Sequence, residues 1–187
     1  DLRNMKKYYN QGTVNELCLF QDFNLTIPDH QFVSVVGSNG SGKTSLLNLI
    51  CGSICTDAGQ ILVNGKDIAG KKEFERHRNI GRVFQDPAKG TCPSMTILEN
   101  MSIADRKGSC YGLGRGKNKG KAGQYQELLR GLCLGLEDKL EVKAGSLSGG
   151  QRQALALLMA TMAPIEFLIL DEHTAALDPK TAEIVME

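Results

Sequence analysis

The sequence predicts an α/β domain, because short apolar runs with strand character alternate with helical patterns along the chain. Residues 32–36 and 167–170 form two such runs, both uncharged and typical of strands covered on both faces of a sheet. Residues 147–163 carry a long apolar helical pattern that stops at Pro164. With 187 residues, of which 41% are hydrophobic and 23% charged, the chain can bury one core.

The composition argues against several classes of protein. There are 22 basic and 21 acidic residues, and a net charge of +1 is not expected of a general nucleic-acid-binding protein. No apolar run approaches the roughly 18 residues of a membrane-spanning helix, and we expect no leader segment. Any role at a membrane is therefore expected to be peripheral. The six cysteines are scattered and are expected to be reduced thiols.

The first part of the chain predicts a small β layer, then a strand, a loop and a helix. Residues 16–20 and 23–27 are predicted to be two strands of the β layer. The run at 32–36 is predicted to be the next strand, and it leads directly into a glycine-rich segment. The helix after that segment is expected to end near Gly52.

Further strands are predicted at 60–63, before a tight turn, and at 80–84. Residues 106–126 then carry six Lys or Arg and no acid, with glycines between them. One interpretation is a patch that binds phosphate or lipid headgroups. The density of glycine favours the other, a solvated loop in a helical subdomain. Helical periodicity resumes at 124–136.

The segment 37–44 fits the phosphate-loop pattern G-x-x-x-x-G-K-[ST], between a predicted strand and a predicted helix. Its glycines let backbone N–H groups face phosphate oxygens, and the helix dipole adds positive potential there. Lys43 is expected to reach the β- and γ-phosphates, and the Thr44 hydroxyl to ligate Mg²⁺. An ordinary glycine-rich turn is the alternative, but the strand and helix around the segment favour nucleotide binding.

Two acidic residues follow the apolar run at 167–170. Asp171 and Glu172 stand at the carboxyl end of this predicted strand, where open α/β sheets bind ligands. Asp171 is expected to hold Mg²⁺, directly or through water, and Glu172 to orient or deprotonate the attacking water. The alternative is a pair of helix-capping acids at a strand–helix junction.

Two more segments narrow the class. Residues 147–151, Leu-Ser-Gly-Gly-Gln, begin a helix with a hydroxyl and two bare amides, which is a second anion-binding arrangement. A domain that already has a phosphate loop needs a second use for such a helix start. That use would be to cover the γ-phosphate held by another copy of the domain. Gln85, just after the strand at 80–84, offers an amide to Mg²⁺ or the attacking water while its loop reaches another protein.

In this order, the motifs resemble the nucleotide-binding domain of ABC transporters. The resemblance rests on the phosphate loop, Gln85, residues 147–151, the acids at 171–172 and the segment 175–178, and it covers essentially the whole chain. It implies a P-loop NTPase with a RecA-like α/β core, an antiparallel β layer and a helical subdomain. It also implies a head-to-tail dimer that encloses two ATP molecules, each between one phosphate loop and the other chain's signature segment.

The resemblance also implies roles for individual residues. Glu172, Gln85 and Lys43 are the expected catalytic residues, and Thr44, Gln85 and Asp171 the expected Mg²⁺ ligands. Asp178 is expected to communicate across the dimer. The expected ATP-binding residues are Tyr9 (with Tyr8 as its alternative on adenine), Gly37, Ser38, Asn39, Gly40, Ser41, Gly42, Lys43, Thr44 and Ser45. The expected signature residues, acting on the other chain's nucleotide, are Leu147, Ser148, Gly149, Gly150 and Gln151.

The family pattern divides the chain into a β layer with the phosphate-loop core (1–85), a helical subdomain (about 86–146) and the signature helix with the acidic strand end (147–187). The family's switch histidine comes on a later strand, and His173 stands where the family usually has proline. We therefore expect a C-terminally truncated domain without its last core strands. Such a chain is expected to bind and hydrolyse ATP weakly.

The predicted function is that of an ABC transporter ATPase on the inner face of the cell membrane, coupling ATP-driven dimer closure to transport by a permease. Similarity to bacterial uptake-system ATPases favours import of a small solute such as an amino acid, and it covers residues 9–13, 82–86, 158–161 and 171–180. Three alternatives stay open: a non-transport ABC ATPase acting on ribosomes or DNA, a module that binds nucleotide without turnover, and a small-molecule kinase. No nucleic-acid partner is expected.

Overall fold

The computed structural model describes residues 1–109 and 116–171. The chain divides into two compact units, Asp1–His77 and Arg78–Glu187, and each is described by itself. The first unit carries the phosphate loop. The second carries Gln85, the signature segment and Asp171.

The first unit contains a four-stranded antiparallel sheet. Its strands are β1 (Leu2–Tyr9), β2 (Leu17–Leu25), β3 (Ala58–Val63) and β4 (Lys66–Asp67), in the order β2-β1-β3-β4. The two strands predicted at 16–20 and 23–27 are one strand, β2, whose pairing with β1 is irregular around Asp22, which has a φ of 50°. The hairpin from β3 to β4 turns at Asn64 and Gly65, as predicted.

Two helices complete the first unit. Helix α1 (Lys43–Cys51) follows the phosphate loop and ends at Gly52, whose φ of 86° closes the helix, as the sequence predicted. Helix α2 (Glu73–Arg76) brings Arg76 beneath the end of α1. The Arg76 guanidinium, 3% exposed, donates to the carbonyl oxygens of Leu49, Ile50, Ala69 and Lys71. Burial lowers the pKa of Arg76, and the guanidinium satisfies carbonyls that the helix end leaves open.

The strand predicted at residues 32–36 is absent from the described structure, and that prediction is wrong here. Phe32 and Val36 are 77% and 88% exposed, whereas the prediction required them to be covered. Aromatic and β-branched residues favour a strand only where a ladder partner and a covering layer exist. Among the described residues, neither sheet pairs a strand with this segment.

The second unit contains a parallel pair of strands, β5 (Ile80–Val83) and β6 (Phe167–Leu170), with Ile80 opposite Phe167 and Val83 opposite Leu170. In β6 the side chain of Ile169 is buried and its neighbours are half-buried, so the strand is less covered than the sequence predicted. Gly81 permits close packing, because a Cβ there would lie 2.8 Å from Ile165 Cδ1 and 3.0 Å from the carbonyl oxygen of Ala160.

Three helices pack together in the second unit: α3 (Ile97–Ala104), α4 (Ala122–Arg130) and α5 (Gly149–Thr161). Helix α4 ends earlier than the residue 136 that its periodicity predicted. Buried side chains from all three helices form the core of this unit, including Met101, Leu129 and Leu155. Short 3₁₀ turns cover Pro87–Lys89, Lys119–Lys121, Glu137–Lys139 and Ala144–Ser146. None of the helices in the described ranges is long and apolar enough to cross a bilayer.

Lysines of the basic stretch at 106–126 have partners within the second unit. Lys117 Nζ lies 2.6 Å from Glu141 Oε2, and Lys121 Nζ lies 2.7 Å from Asp105 Oδ2. Lys107 Nζ donates to the carbonyl oxygen of Ile80 at 2.7 Å, and burial lowers its pKa. These contacts do not favour the interpretation of the stretch as an anion-binding patch.

Candidate nucleotide-binding site

The phosphate loop joins residue 37 to the start of α1. Gly40 and Gly42 have φ values of 83° and 91°, which side chains with a Cβ rarely adopt. The Lys43 ammonium folds back over the loop and donates to the carbonyl oxygens of Gly37 and Ser38, at 2.8 and 3.0 Å. Lys43 is thus already positioned inside the loop that it is predicted to serve.

Packing also requires glycine at two positions of the loop. A Cβ at Gly37 would lie 2.6 Å from Ser41 Oγ, and one at Gly42 would lie 3.1 Å from Leu19 Cδ1 of β2. No side chain in the described ranges caps the start of α1, and Thr44 in its first turn is exposed. The first N–H groups of this helix therefore remain available to an anion.

Tyr9, the residue predicted to stack on adenine, is the last residue of β1 and pairs with Leu17 of β2. Lys7 Nζ lies 5.6 Å from the centroid of its ring, which is half-buried. A hydrogen bond between Tyr8 and Cys18 raises the pKa of Tyr8. The stacking role of Tyr9 stays a prediction.

Asp171 follows β6 directly, at the carboxyl end of the parallel pair, as predicted. Its backbone N–H donates to the carbonyl oxygen of Val83 at 3.1 Å. Its carboxylate forms an ion pair with Arg82, 3.4 Å from Oδ2 to Nη2. The Arg82 guanidinium lies 4.6 Å from the centroid of the Phe84 ring. No role was predicted for Arg82, and an arginine inside an otherwise apolar strand was the signal that could have revealed it.

Gln85 is exposed and lies two residues beyond the end of β5. The next residue, Asp86, caps a 3₁₀ turn, because its Oδ1 accepts from the N–H of Ala88 at 2.9 Å. Gln153 of α5 is 1% exposed and donates through Nε2 to the carbonyl oxygen of Phe84, at 3.4 Å. The signature helix is therefore linked to the segment that carries Gln85, through a residue for which no role was predicted.

The signature segment begins α5 as a capping box. Ser148 Oγ accepts from the N–H of Gln151 at 3.2 Å, and Gln151 Oε1 accepts from the N–H of Ser148 at 3.3 Å. Leu147 is buried in the core, whereas Ser148 and Gly149 are exposed. The helix start is thus anchored on one side and presents its hydroxyl and glycine amides to solvent on the other.

Arg152 holds the turn before the signature helix. Its guanidinium donates to the carbonyl oxygens of Ala144 and Gly145, at 3.1 and 2.8 Å. Gly145 itself lies against Pro93, where a Cβ would be 2.9 Å from the Pro93 carbonyl oxygen. These contacts fix the direction in which the chain enters α5.

The chemistry of the donor set suits Mg²⁺. Thr44 in the first unit offers a hydroxyl, and Gln85 and Asp171 in the second offer an amide oxygen and a carboxylate, all hard oxygen donors. Three residues singled out above, Glu172, His173 and Asp178, lie outside the described residues, so their predicted roles are carried by the sequence alone.

The fold and motifs define a class of protein. The chain belongs to the ABC transporter family, whose profile matches residues 20–175. This confirms the family, the α/β P-loop fold and the ATPase class predicted from the sequence.

Two relatives give the membership more detail. The chain is 43% identical to a tyrosine transport ATP-binding protein of Clostridioides difficile (strain R20291) over 186 residues, which cover 100% of this chain and 74% of the relative. It is 36% identical to the spermidine/putrescine import ATP-binding protein PotA of Haemophilus influenzae, over 96% of this chain and 44% of that relative. The chain thus spans less than half of the polyamine relative.

Solved structures give the same fold. The ATP-binding cassette MJ0796, in a dimeric post-hydrolysis state with ADP and Pi, matches with a TM-score of 0.80 and 29% identity, over 99% of this chain and 78% of that one. The ADP conformation of the cassette MJ1267 matches with a TM-score of 0.77 and 27% identity, over 98% of this chain and 72% of that one.

Proposed function

We propose that this chain is the ATP-hydrolysing subunit of a bacterial import system, in which ATP-driven closure of two such subunits is coupled to transport by a membrane permease. One observation carries the proposal. Two helix starts carry glycine amides beside an exposed hydroxyl, that of Thr44 after the phosphate loop and that of Ser148 in the signature segment. A nucleotide held between two copies uses both, the phosphate loop of one copy and the signature segment of the other.

Within such a dimer, Lys43 exchanges the carbonyl oxygens of its own loop for the phosphates of ATP. The amides of residues 37–45 donate to the same phosphates, and Tyr9 stacks on adenine. Ser148 and Gly149, from the second copy, donate to the γ-phosphate. Bound Mg²⁺, held by Thr44, Gln85 and Asp171, would neutralise charge on the β- and γ-phosphates.

Hydrolysis requires a base beside the terminal phosphate, and we assign this role to Glu172. Gln85 orients the attacking water, and its loop contacts the permease at the inner face of the membrane. Asp178 transmits the state of one site to the other. We propose the corresponding division of labour along the chain, with residues 1–85 binding nucleotide, 86–146 forming the helical subdomain and 147–187 carrying the signature and hydrolytic segments.

For the solute, we propose an amino acid or a molecule of similar size. Support comes from the 43% identity to a tyrosine transport ATP-binding protein along the whole chain. The polyamine relative is less similar, at 36% identity.

Replacement of Glu172 by Gln in the full-length protein tests the proposal. We expect ATP binding to persist, turnover to be abolished and an ATP-bound dimer to accumulate, because the amide cannot take a proton from water. The measurements are phosphate release and light scattering with and without ATP. Glu166→Gln is the matched control, since Glu166 precedes the same strand at its other end and bonds to Asn79. Unchanged hydrolysis in Glu172→Gln removes Glu172 from the mechanism, and an ATP-saturated monomer overturns the shared site.

A further inference from the structure

An arginine lies beside the carboxylate that is proposed to hold Mg²⁺. In the parallel pair of strands, Arg82 is opposite Ile169. Alternate residues of a strand face the same side of a sheet, so Asp171 lies on the face that Arg82 occupies. The hydrogen bond from the N–H of Asp171 to the Val83 carbonyl oxygen continues the register by one residue. The pair is therefore dictated by the register of the strands.

The ion pair of Arg82 and Asp171 is largely buried. The side chains of Arg82 and Asp171 are 6% and 15% exposed. The guanidinium also lies over the Phe84 ring, at 4.6 Å from its centroid, an arrangement that attracts a cation. Salt and water screen such a pair less than one in solvent.

We infer that Arg82 is a built-in counter-cation for Asp171 and raises the Mg²⁺ concentration at which the protein binds ATP with its metal. The inference rests on the proposed function, in which Asp171 is a Mg²⁺ ligand. A largely buried carboxylate is costly unless it is paired. Arg82 supplies that partner whenever the metal is away, so the carboxylate of Asp171 stays paired.

Arg82 also opposes the binding of Mg²⁺ by Asp171. If the guanidinium leaves Asp171 when Mg²⁺ is bound, the ion pair must first be broken. If the guanidinium stays, two cations share one carboxylate and repel each other. A carboxylate without Arg82 meets the metal with neither cost, so both cases predict tighter binding of Mg²⁺ once the positive charge is removed. A purely structural role predicts the reverse, because a loosened strand pair would misplace the ligand.

The experiment is a titration of MgCl₂ into the full-length protein with a fixed concentration of trinitrophenyl-ATP, and its readout is the Mg²⁺ concentration at half-maximal fluorescence. In Arg82→Met we expect this midpoint to fall by about twofold to fivefold, the upper part of the range that ion pairs at protein surfaces contribute. Arg82→Lys keeps the charge and should remain near the wild-type midpoint. Arg130→Met removes an arginine paired with Glu127 elsewhere in the second unit, and should leave the midpoint unchanged.

A second measurement distinguishes an electrostatic role of Arg82 from a purely structural one. In EDTA, the melting temperature of Arg82→Met should lie below that of the wild type. Addition of MgCl₂ and nucleotide should raise the melting temperature of Arg82→Met by more than it raises that of Arg130→Met.

A Mg²⁺ midpoint that is unchanged or raised in Arg82→Met, while the analogue still binds, overturns the inference alone. So does a fall in Arg82→Lys as large as that in Arg82→Met. Absence of nucleotide binding in the wild type overturns the proposed function itself. Arg82→Gln replaces the apolar variant if that variant fails to fold, with the same expected fall.

Discussion

At the scale of single residues, the phosphate loop binds the ammonium of its own lysine. Lys43 Nζ donates to the carbonyl oxygens of Gly37 and Ser38, and these bonds fix the position of the ammonium. In the proposed complex with ATP, phosphate oxygens replace these two neutral acceptors. Both sets of bonds are charge-assisted by the ammonium, but a phosphate adds an attraction between opposite charges that a neutral carbonyl lacks, so this exchange favours the bound state.

Replacement of Lys43 by Ala is expected to weaken ATP binding by about tenfold to a hundredfold, because a hydrogen bond to a charged group contributes about 1.5–3 kcal/mol. Equilibrium binding of a fluorescent ATP analogue measures the effect. Lys66→Ala is the control, since Lys66 is an exposed lysine on β4. Equal affinities in the two variants would show that Lys43 does not reach phosphate.

A second residue predicts a dependence on pH. Tyr125 is buried and its hydroxyl donates to Asp105 Oδ2 at 3.1 Å, and burial followed by this hydrogen bond raises the pKa of Tyr125 to about 12. An unfolded tyrosine titrates near 10. The protonated phenol therefore contributes its full stabilisation to the free energy of unfolding below about pH 10, and this contribution is lost as the pH rises toward about 12.

Tyr125→Phe should cost about 1 kcal/mol of unfolding free energy at pH 8, through the lost hydrogen bond. The difference in unfolding free energy between the wild type and the variant should become smaller as the pH rises above about 10, since only the wild type carries the ionisable phenol. Urea unfolding across the alkaline range measures this. A gap that stays constant to the highest pH would contradict the assignment.

At the scale of elements, two helices of the second unit begin with the same device. Thr96 and Glu99 form a capping box at the start of α3, as Ser148 and Gln151 do at the start of α5. The first is built into a half-buried turn and the second faces solvent. One helix start is thus available as a control for the other.

Ser148→Ala and Thr96→Ala should each lower the unfolding free energy by about 1 kcal/mol, the usual cost of a lost N-cap. Only Ser148→Ala should also reduce ATP-dependent dimerisation, because only that hydroxyl is proposed to contact the partner's nucleotide. Chemical denaturation and light scattering give the two readouts. Equal loss of dimerisation in both variants would reduce the role of Ser148 to helix capping.

Elements whose cause is local could be predicted from the sequence. The closure of α1 at Gly52 and the turn at Asn64 and Gly65 depend on backbone preferences of the residues themselves. Strand β1 was not predicted, because its lysines interrupt the alternation of apolar and polar residues. Its pairing with β2 on one side and β3 on the other stabilises the strand instead. The reverse holds at 32–36, where strand preference without a ladder partner gives no strand.

The candidate site divides in the same way. The phosphate loop and the capped signature helix could be read from short motifs. The ion pair of Arg82 with Asp171 could not, because its members are 89 positions apart and meet only through the register of β5 and β6. The link from Gln153 to Phe84 escaped for the same reason, across 69 positions.

At the scale of the whole molecule, basic and acidic residues are nearly equal in number. The net charge is +1, and Lys117 and Lys121 are paired with acidic side chains. Binding to the nucleic-acid backbone depends on cations that are available to phosphates. This balance favours a partner other than DNA or RNA.

The full-length protein should therefore show no binding to double-stranded DNA or structured RNA at micromolar protein and low salt. Electrophoretic mobility and fluorescence anisotropy with labelled duplexes measure this. Polylysine serves as the positive control for the probes. Affinity that falls steeply with added salt would instead favour an ABC ATPase that acts on ribosomes or DNA.

The guanidinium of Arg76 has a mechanical consequence for the helix that follows the phosphate loop. A helix of nine residues ordinarily frays from both termini. Here the buried guanidinium bonds to carbonyl oxygens near the end of α1, which opposes fraying at that end. A nucleotide bound at the other end would then have to order only the first turn of α1, which reduces the conformational entropy lost on binding.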